Sequence, residues 1–236
     1  MTTPARGGWP VTALAERRPQ SLYGLPGLTP QAVIFDMDGV LLDSEPLHHH
    51  AVNAVLLEDG LPPLSLAEYT RYLGTTDEDM WRDLRATRSL GRRHEHYLRR
   101  FDAHVLAAYR QHAIAAPGAV DLLDRLTARG LPLAVASSSR VQWVQTCLDT
   151  IGVRRHFDRI VGGDMVVRGK PDPEIFLLAA RQLRAPPATC VVIEDSPAGV
   201  TAARRAGMRV IAISTGYTPP GLVRGANLTV NSLAEV

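Results

Sequence analysis

Four short segments of the sequence carry polar side chains that could do chemistry together. They contain, in order, Asp36 and Asp38, Ser137, Lys170, and Glu194 with Asp195. Taken singly, an aspartate before a glycine forms turns, a serine at a strand end caps a helix, and a lysine before a proline lies in a surface loop. Taken together, four carboxylates at two predicted strand ends would repel one another unless a cation or a shared proton relieved them. Oxygen ligands without a histidine or cysteine cluster favour Mg²⁺ over zinc.

Lys170 is the only lysine among the 26 basic residues of the chain. Lysine presents a compact ammonium on a flexible stem, whereas arginine presents a planar fork. A composition this skewed still leaves a lysine somewhere, so the observation alone is compatible with chance and with function. The position of Lys170 relative to the other polar segments has to decide between them.

The pattern of apolar residues predicts the elements that position these side chains. Residues 31–36 form a short apolar run that ends on an acid, which is typical of a buried parallel strand. From residue 46 to about residue 114 the pattern is almost wholly helical. After Pro117 helix and strand alternate, and strands are predicted near residues 131–136, 159–161, 190–193 and 209–213.

Alternation of strand and helix predicts right-handed crossovers and a parallel sheet covered on both faces. The strand at 31–36 must join that sheet, because one short strand is not stable alone. We therefore predict an α/β fold with a Rossmann-like parallel sheet core, formed by residues 31–45 and 115–236, and an inserted α-helical cap of residues 46–114. Residues 1–30 are predicted to form a flexible N-terminal arm. Ligands bind such sheets outside the carboxyl ends of the strands, where the polar segments fall.

Composition limits the expected partners and compartment. The 236 residues carry a formal net charge of +2 and no aromatic-interleaved basic stripe, so we expect no nucleic acid partner. No apolar run approaches a membrane span, and the first thirty residues hold no apolar core of signal-peptide length. Cys147 and Cys190 lie in apolar stretches, which suggests buried, reduced thiols. We expect a cytoplasmic protein that is a monomer or a weak dimer.

The polar segments resemble the four motifs of the haloacid dehalogenase-like hydrolase superfamily. The matching segments are Asp36-Met37-Asp38-Gly39-Val40, Ser137, Gly169-Lys170-Pro171-Asp172-Pro173 and Glu194-Asp195-Ser196, in the family's order and spacing. The resemblance covers about residues 31–215 and favours the branch that contains β-phosphoglucomutase and the sugar-phosphate phosphatases. The motif set is highly specific for the superfamily and weakly specific for the substrate.

The resemblance implies a nucleophile, an acid/base group and a metal site. Asp36 would attack phosphorus and form an aspartyl-phosphate, so that one hard step becomes two easier ones. Asp38 would protonate the leaving alcohol and then activate water. Mg²⁺ would bind the Asp36 carboxylate, the Asp38 backbone carbonyl and Asp195, with Glu194 contributing directly or through water.

The resemblance also implies a phosphate-binding set. Ser137, Ser138 and Lys170 would bind the oxygens of the transferring phosphoryl group and stabilise its charge. The single lysine therefore falls where a compact positive charge is wanted, and we interpret it as functional.

The helical insertion resembles the cap of that branch, and its substrate contacts follow only by analogy. His48 stands where β-phosphoglucomutase-like members carry a histidine near the acid/base aspartate; the alternative is a run of solvated imidazoles. Residues Gly74, Thr75 and Asp77 lie in a segment that resembles the cap's specificity loop. A mutase is expected to hold a phosphate-binding arginine at the position of Asp77, and an acid there favours hydrolysis.

Our leading hypothesis is a Mg²⁺-dependent phosphatase that hydrolyses a small phosphorylated metabolite, a sugar or polyol phosphate, through an aspartyl-phosphate intermediate. The first alternative is a β-phosphoglucomutase-like sugar-phosphate mutase that uses the same nucleophile. A halide-releasing dehalogenase is disfavoured, because that chemistry has no evident use for Asp38 and a magnesium-binding acid pair. A non-catalytic binding protein is disfavoured because every chemical position is intact.

Overall fold

Six parallel strands form one sheet in the order β3-β2-β1-β4-β5-β6. They are β1 Ala32–Phe35, β2 Leu133–Ala136, β3 Arg159–Val161, β4 Cys190–Glu194, β5 Arg209–Ile213 and β6 Leu228–Val230. Every residue of β1, β2 and β4 is buried, as expected for strands covered on both faces. The strand order reverses at β1, so the crevice for a ligand lies beyond the carboxyl ends of β1 and its neighbours.

Residues Ser44–Ala113 form a compact helical unit. Its helices are α1 Glu45–Glu58, α2 Leu66–Tyr69, α3 Asp77–Thr87 and α4 His94–His112. The hydroxyl of Thr76 accepts the backbone N–H of Asp79 and so caps α3, whose first turn holds three acidic residues. These acids lie at the positive end of the helix dipole.

The rest of the described chain forms the second unit, which contains the sheet. Its helices are α5 Ala119–Ala128, α6 Val141–Thr150, α7 Glu174–Leu183 and α8 Pro197–Arg205. They follow the predicted alternation with strands, and the Rossmann-like α/β architecture predicted from the sequence is confirmed.

Two details of the sheet differ from the prediction. The second strand begins at Leu133 rather than at residue 131; the carbonyl of Pro132 accepts the N–H of Val33, but Pro132 has no N–H to donate to the ladder. β6 was not predicted, because its three residues are too short a run to show a period of two.

The structure is a computed structural model that describes residues 29–218, 221 and 223–236, together with Leu22. The predicted arm of residues 1–30 therefore lies almost wholly outside the described residues. No helix within the described residues combines the length and the apolar character that crossing a bilayer requires.

Candidate active site

Asp36 follows β1 directly, at the strand where the order of the sheet reverses. Its backbone N–H donates to the carbonyl of Ile193 in β4 at 2.9 Å, so the sheet holds its backbone in place. The side chain is only 8% exposed. Because the carboxylate has little access to water, its charge must be offset by neighbouring groups.

The chain turns sharply over residues 37–41, directly after Asp36. The carbonyl of Met37 accepts the backbone N–H of Leu41 at 2.8 Å, which closes the turn. Gly39 has a φ of +74°, and a Cβ at this position would overlap the carboxylate of Asp195. Glycine is therefore required both for the backbone conformation and for the space into which Asp195 fits.

Asp38 contacts the loop that follows β2. The hydroxyls of Ser137 and Ser139 both donate to Asp38 Oδ2, at 3.2 Å and 2.8 Å. Ser138 lies between them and is exposed. The structure thus brings the predicted Ser137 to the predicted Asp38 and adds Ser139, which the sequence prediction missed. The three consecutive serines were visible, but the direction of each hydroxyl depends on the fold of the loop.

Lys170 is buried among acidic groups. Its Nζ donates to Asp36 Oδ1 at 2.7 Å and to Glu194 Oε1 at 2.9 Å. The ammonium also lies 5.0 Å from the centre of the Phe176 ring, within reach of a cation–π interaction. Phe176, in α7, is a second residue that sequence reasoning missed, because a buried aromatic six positions after a lysine is most often simply part of the core.

Glu194 ends β4 and is fully buried. Its Oε2 accepts the backbone N–H groups of Asp195 and Ser196, and its Oε1 accepts Lys170 Nζ and the hydroxyl of Ser196. A Cβ on Gly199, in the first turn of α8, would overlap this carboxylate. Protein donors therefore fill both oxygens of Glu194, consistent with a buried charge that is fully hydrogen-bonded.

Burial dominates the electrostatics of the acids. It raises the pKa of Asp36 to about 8; Glu194 and Asp38 add to this shift, whereas Lys170 opposes it. Burial and the nearby charges of Glu194 and Asp36 also raise the pKa of Asp195 well above its ordinary value. Burial alone would lower the pKa of Lys170, but Asp36 and Glu194 together raise it. One ammonium is therefore too little positive charge for this group of carboxylates.

Asp36, Glu194 and Asp195 each offer one carboxylate oxygen, and these oxygens lie within 4.8 Å of one another. Among the described residues no side chain or backbone group donates a hydrogen bond to the Asp195 carboxylate. A half-buried carboxylate without a hydrogen-bond donor fits a cation ligand, and an all-oxygen donor set suits Mg²⁺. Asp36 and Asp195 are better placed to bind a cation directly than Glu194, whose oxygens already have donors.

The helical unit contains a cavity of its own, of about 70 Å³. All four predicted cap residues line it. The lining consists of Glu45, His48, Tyr69, Tyr72, Gly74, Thr75, Thr76, Asp77, Met80 and Phe101. His48 Nε2 is hydrogen-bonded to the hydroxyl of Tyr109 at 2.8 Å, and Tyr69 donates to Glu45 at 2.9 Å. The polar lining suits a ligand that carries hydroxyl groups.

Comparison with known proteins gives a family and several relatives. The family model described as "Hydrolase: haloacid dehalogenase-like hydrolase" matches residues 30–207. The phosphoglycolate phosphatase of Chromobacterium violaceum is 34% identical over 217 residues, which cover 87% of this chain and 94% of the relative. The phosphorylated carbohydrates phosphatase of Thermotoga maritima is 33% identical over 181 residues, which cover 77% and 83% of the two chains.

Among solved structures, the crystal structure of CbbY from Rhodobacter sphaeroides in complex with phosphate superposes with a TM-score of 0.80 at 30% identity. The match covers 88% of this chain and 96% of CbbY. The chain also matches a much longer plant protein, SUPPRESSOR OF QUENCHING 1 of Arabidopsis thaliana, of which it spans only 20%. Apart from that plant protein, these relatives match most of this chain, and not only its four motif segments, over most of their own length.

Proposed function

This chain belongs to the haloacid dehalogenase-like hydrolases and is a phosphoric monoester hydrolase, and we propose that it hydrolyses a sugar or polyol phosphate in a Mg²⁺-dependent reaction through an aspartyl-phosphate. The observation that carries the proposal is the group formed by Asp36, Lys170 and Asp195 at the carboxyl ends of β1 and β4. A nucleophile, a phosphate ligand and a half-buried metal ligand would meet there in one site.

In the first step the Asp36 carboxylate attacks phosphorus, an Asp36 oxygen–phosphorus bond forms and the ester oxygen–phosphorus bond breaks. Asp38 gives its proton to the departing alkoxide, which leaves as the alcohol. In the second step Asp38 takes a proton from water, the water oxygen bonds to phosphorus, and the Asp36 carboxylate is released with inorganic phosphate. Both residues therefore return to their starting state.

Lys170 and the loop after β2 hold the phosphoryl group. The ammonium of Lys170 already lies against Asp36, so it can neutralise an oxygen of a phosphoryl group that approaches the same carboxylate. Ser137 and Ser138 supply hydroxyl and backbone donors at the carboxyl end of β2. These groups position the reacting atoms and carry little covalent chemistry.

Mg²⁺ would be held by Asp36, Asp195 and the backbone carbonyl of Asp38, with Glu194 acting directly or through water. When bound, the ion supplies the positive charge that lets one anion approach another. The fit is supported by the raised pKa of Asp36 and Asp195, which indicates a site that needs a further cation. Glu194 also keeps Lys170 in place, whichever way it contributes to the metal.

We further propose that the helical unit Ser44–Ala113 is the cap that selects the substrate. His48, Gly74, Thr75 and Asp77 line one cavity in it, and its hydroxyl and carboxylate groups can bind the hydroxyls of a sugar or polyol. Asp77 also bears on the mutase alternative, because an acid repels the second phosphate of a bisphosphate intermediate.

A panel of phosphorylated metabolites, assayed with Mg²⁺ for release of inorganic phosphate, tests the proposal. We expect release from one or more sugar or polyol phosphates, and loss of that activity in Asp36→Asn. A parallel assay for the sugar 6-phosphate formed from a sugar 1-phosphate, without release of inorganic phosphate, would favour the mutase. An Asp36→Asn variant as active as the parent would exclude the aspartyl-phosphate mechanism.

A further inference from the structure

We infer that Ser139 is a positioning residue that holds Asp38 in its acid/base orientation. Its hydroxyl donates to Asp38 Oδ2 at 2.8 Å, the shorter of two serine contacts to that oxygen. The inference rests on the proposed function, because that function gives Asp38 its acid/base role. The inference assigns a role in that function to Ser139, which lies outside the four motif segments.

Ser137 and Ser139 have different duties in this arrangement. Ser137 is the proposed phosphate ligand, so its hydroxyl turns towards the phosphoryl group when substrate binds. At 3.2 Å its present contact with Asp38 is also the longer one. Ser139 then remains as the hydroxyl that keeps Asp38 in place during the reaction. When the phosphate binds the hydroxyl of Ser137, the hydroxyl of Ser139 therefore still holds Asp38 in place.

The backbone that presents Ser139 is anchored at several points. Its N–H donates to Ser137 Oγ at 3.0 Å, and its carbonyl accepts the N–H of Gly163 at 2.9 Å. A Cβ on Gly163 would overlap the carbonyl of Ser138. Two residues on, the N–H of Val141 donates to Asp164 Oδ1 at 3.0 Å. The turn after β3 thus fixes the loop after β2. Because that loop is held in place, the Ser139 hydroxyl can fix the orientation of the Asp38 carboxylate.

The geometry has a consequence for proton transfer. A carboxylate oxygen offers two lone pairs, and the two serine hydroxyls fill both on Asp38 Oδ2. When the Ser137 hydroxyl turns to the phosphoryl group, the Ser139 hydrogen bond to Oδ2 still fixes the rotation of the Asp38 carboxyl group. Without Ser139 the carboxyl can rotate, and proton delivery to the leaving oxygen becomes slower while attack by Asp36 is unaffected.

Two aryl phosphates that differ only in a para-nitro group separate this role from a general structural one. p-Nitrophenyl phosphate has a leaving group that departs readily without a proton, whereas the leaving group of phenyl phosphate needs one. We propose to measure kcat/KM for both with the Mg²⁺-loaded parent, Ser139→Ala and Ser139→Thr. This constant reports the step in which the ester bond breaks and is independent of later hydrolysis of the aspartyl-phosphate.

Ser139→Ala is expected to lower kcat/KM for phenyl phosphate by about tenfold or more, and for p-nitrophenyl phosphate by no more than about threefold. Ser139→Thr keeps the hydroxyl and should restore most of the difference. Thr150→Ala is the matched control, because Thr150 is exposed and its hydroxyl donates only to the Thr146 carbonyl within α6. It should leave both constants unchanged.

Equal losses on the two esters, or no loss on either, would overturn the inference. If Ser139→Ala does not fold, Ser139→Cys has a similar size and a weak donor and should show the same selective loss. Failure of the proposed function looks different: the parent would release phosphate from no member of the metabolite panel and from neither ester, or Asp36→Asn would be as active as the parent.

Discussion

The ammonium nitrogen of Lys170 lies 2.7 Å from Asp36 Oδ1 and 2.9 Å from Glu194 Oε1, although 134 and 24 residues separate these partners along the chain. A single cation thus joins the acid that follows β1 to the acid that ends β4. This relationship puts the only lysine of the sequence next to the proposed nucleophile. It also explains why a compact ammonium is used where the rest of the chain uses arginine.

Replacing Lys170 by arginine should lower kcat/KM for the best substrate by about 100-fold. The charge is kept, but a planar guanidinium cannot occupy the small space between the two carboxylates and the Phe176 ring. The opposite exchange, Arg168→Lys, is the matched control, because Arg168 is 70% exposed two residues away. Parent-like kinetics for Lys170→Arg would contradict the assignment of Lys170 as a point-charge ligand.

The affinity for Mg²⁺ should rise with pH. Burial raises the pKa of Asp36 to about 8 and raises that of Asp195, and metal ligands must be deprotonated. Binding of Mg²⁺ therefore displaces one or two protons. The apparent affinity for the ion should fall by about tenfold per displaced proton for each pH unit below the raised pKa values. Isothermal titration calorimetry in buffers of different ionisation enthalpy measures the Mg²⁺ affinity and the number of protons released, without any assay of activity.

An Mg²⁺ affinity that does not change between about pH 6 and pH 8 would contradict this prediction. Asp195→Asn provides the control, because it removes one of the two shifted carboxylates while leaving the Asp36–Lys170 contact in place. It should bind the ion more weakly at every pH and release fewer protons.

Gly39→Ala should abolish Mg²⁺ binding and activity. Two effects combine: a left-handed φ of +74° costs a non-glycine residue about 1–2 kcal/mol, and the new Cβ overlaps the Asp195 carboxylate. Gly130→Ala isolates the first effect, because Gly130 has a similar φ of +69° and nothing within 4 Å of its Cβ position. Both variants should melt earlier in a thermal scan, and only Gly39→Ala should lose the metal. Normal Mg²⁺ binding in Gly39→Ala would contradict the close approach of Asp195 to the loop.

The ion pairs of Glu58 at the end of α1 should contribute little to stability and only above acidic pH. Arg100 and His104 of α4 donate to this carboxylate, and the Arg100 hydrogen bond is the main reason that its pKa is lowered to about 2. Because the folded pKa lies below the unfolded one, the contribution is complete above about pH 5 and is lost as pH falls towards about 2.

Glu58→Gln should therefore lower the free energy of unfolding by no more than about 1 kcal/mol at neutral pH, since the carboxylate is 36% exposed. Urea unfolding of the variant and the parent at neutral and acidic pH measures the difference. The difference in free energy of unfolding between the variant and the parent should shrink as the pH falls and as salt is added. A deficit that grows under either condition would contradict the assignment.

Much of the fold followed from short stretches of sequence. The buried strands are apolar runs, and each of the four motif segments lies within or next to one predicted element. β6 was missed because its three residues carry too short a pattern. The second strand begins two residues later than predicted, at Leu133, because Pro132 has no N–H to donate to the ladder.

The sequence by itself determined which residue types meet at the carboxyl ends of the strands, because parallel strands bring their ends to one edge of a sheet. Only the tertiary structure decided that Ser139 rather than Ser138 contacts Asp38, that protein donors fill both oxygens of Glu194, and that the Phe176 ring lies beside Lys170. These contacts join segments far apart in the chain. The direction of a side chain at such a point depends on packing that no local pattern records.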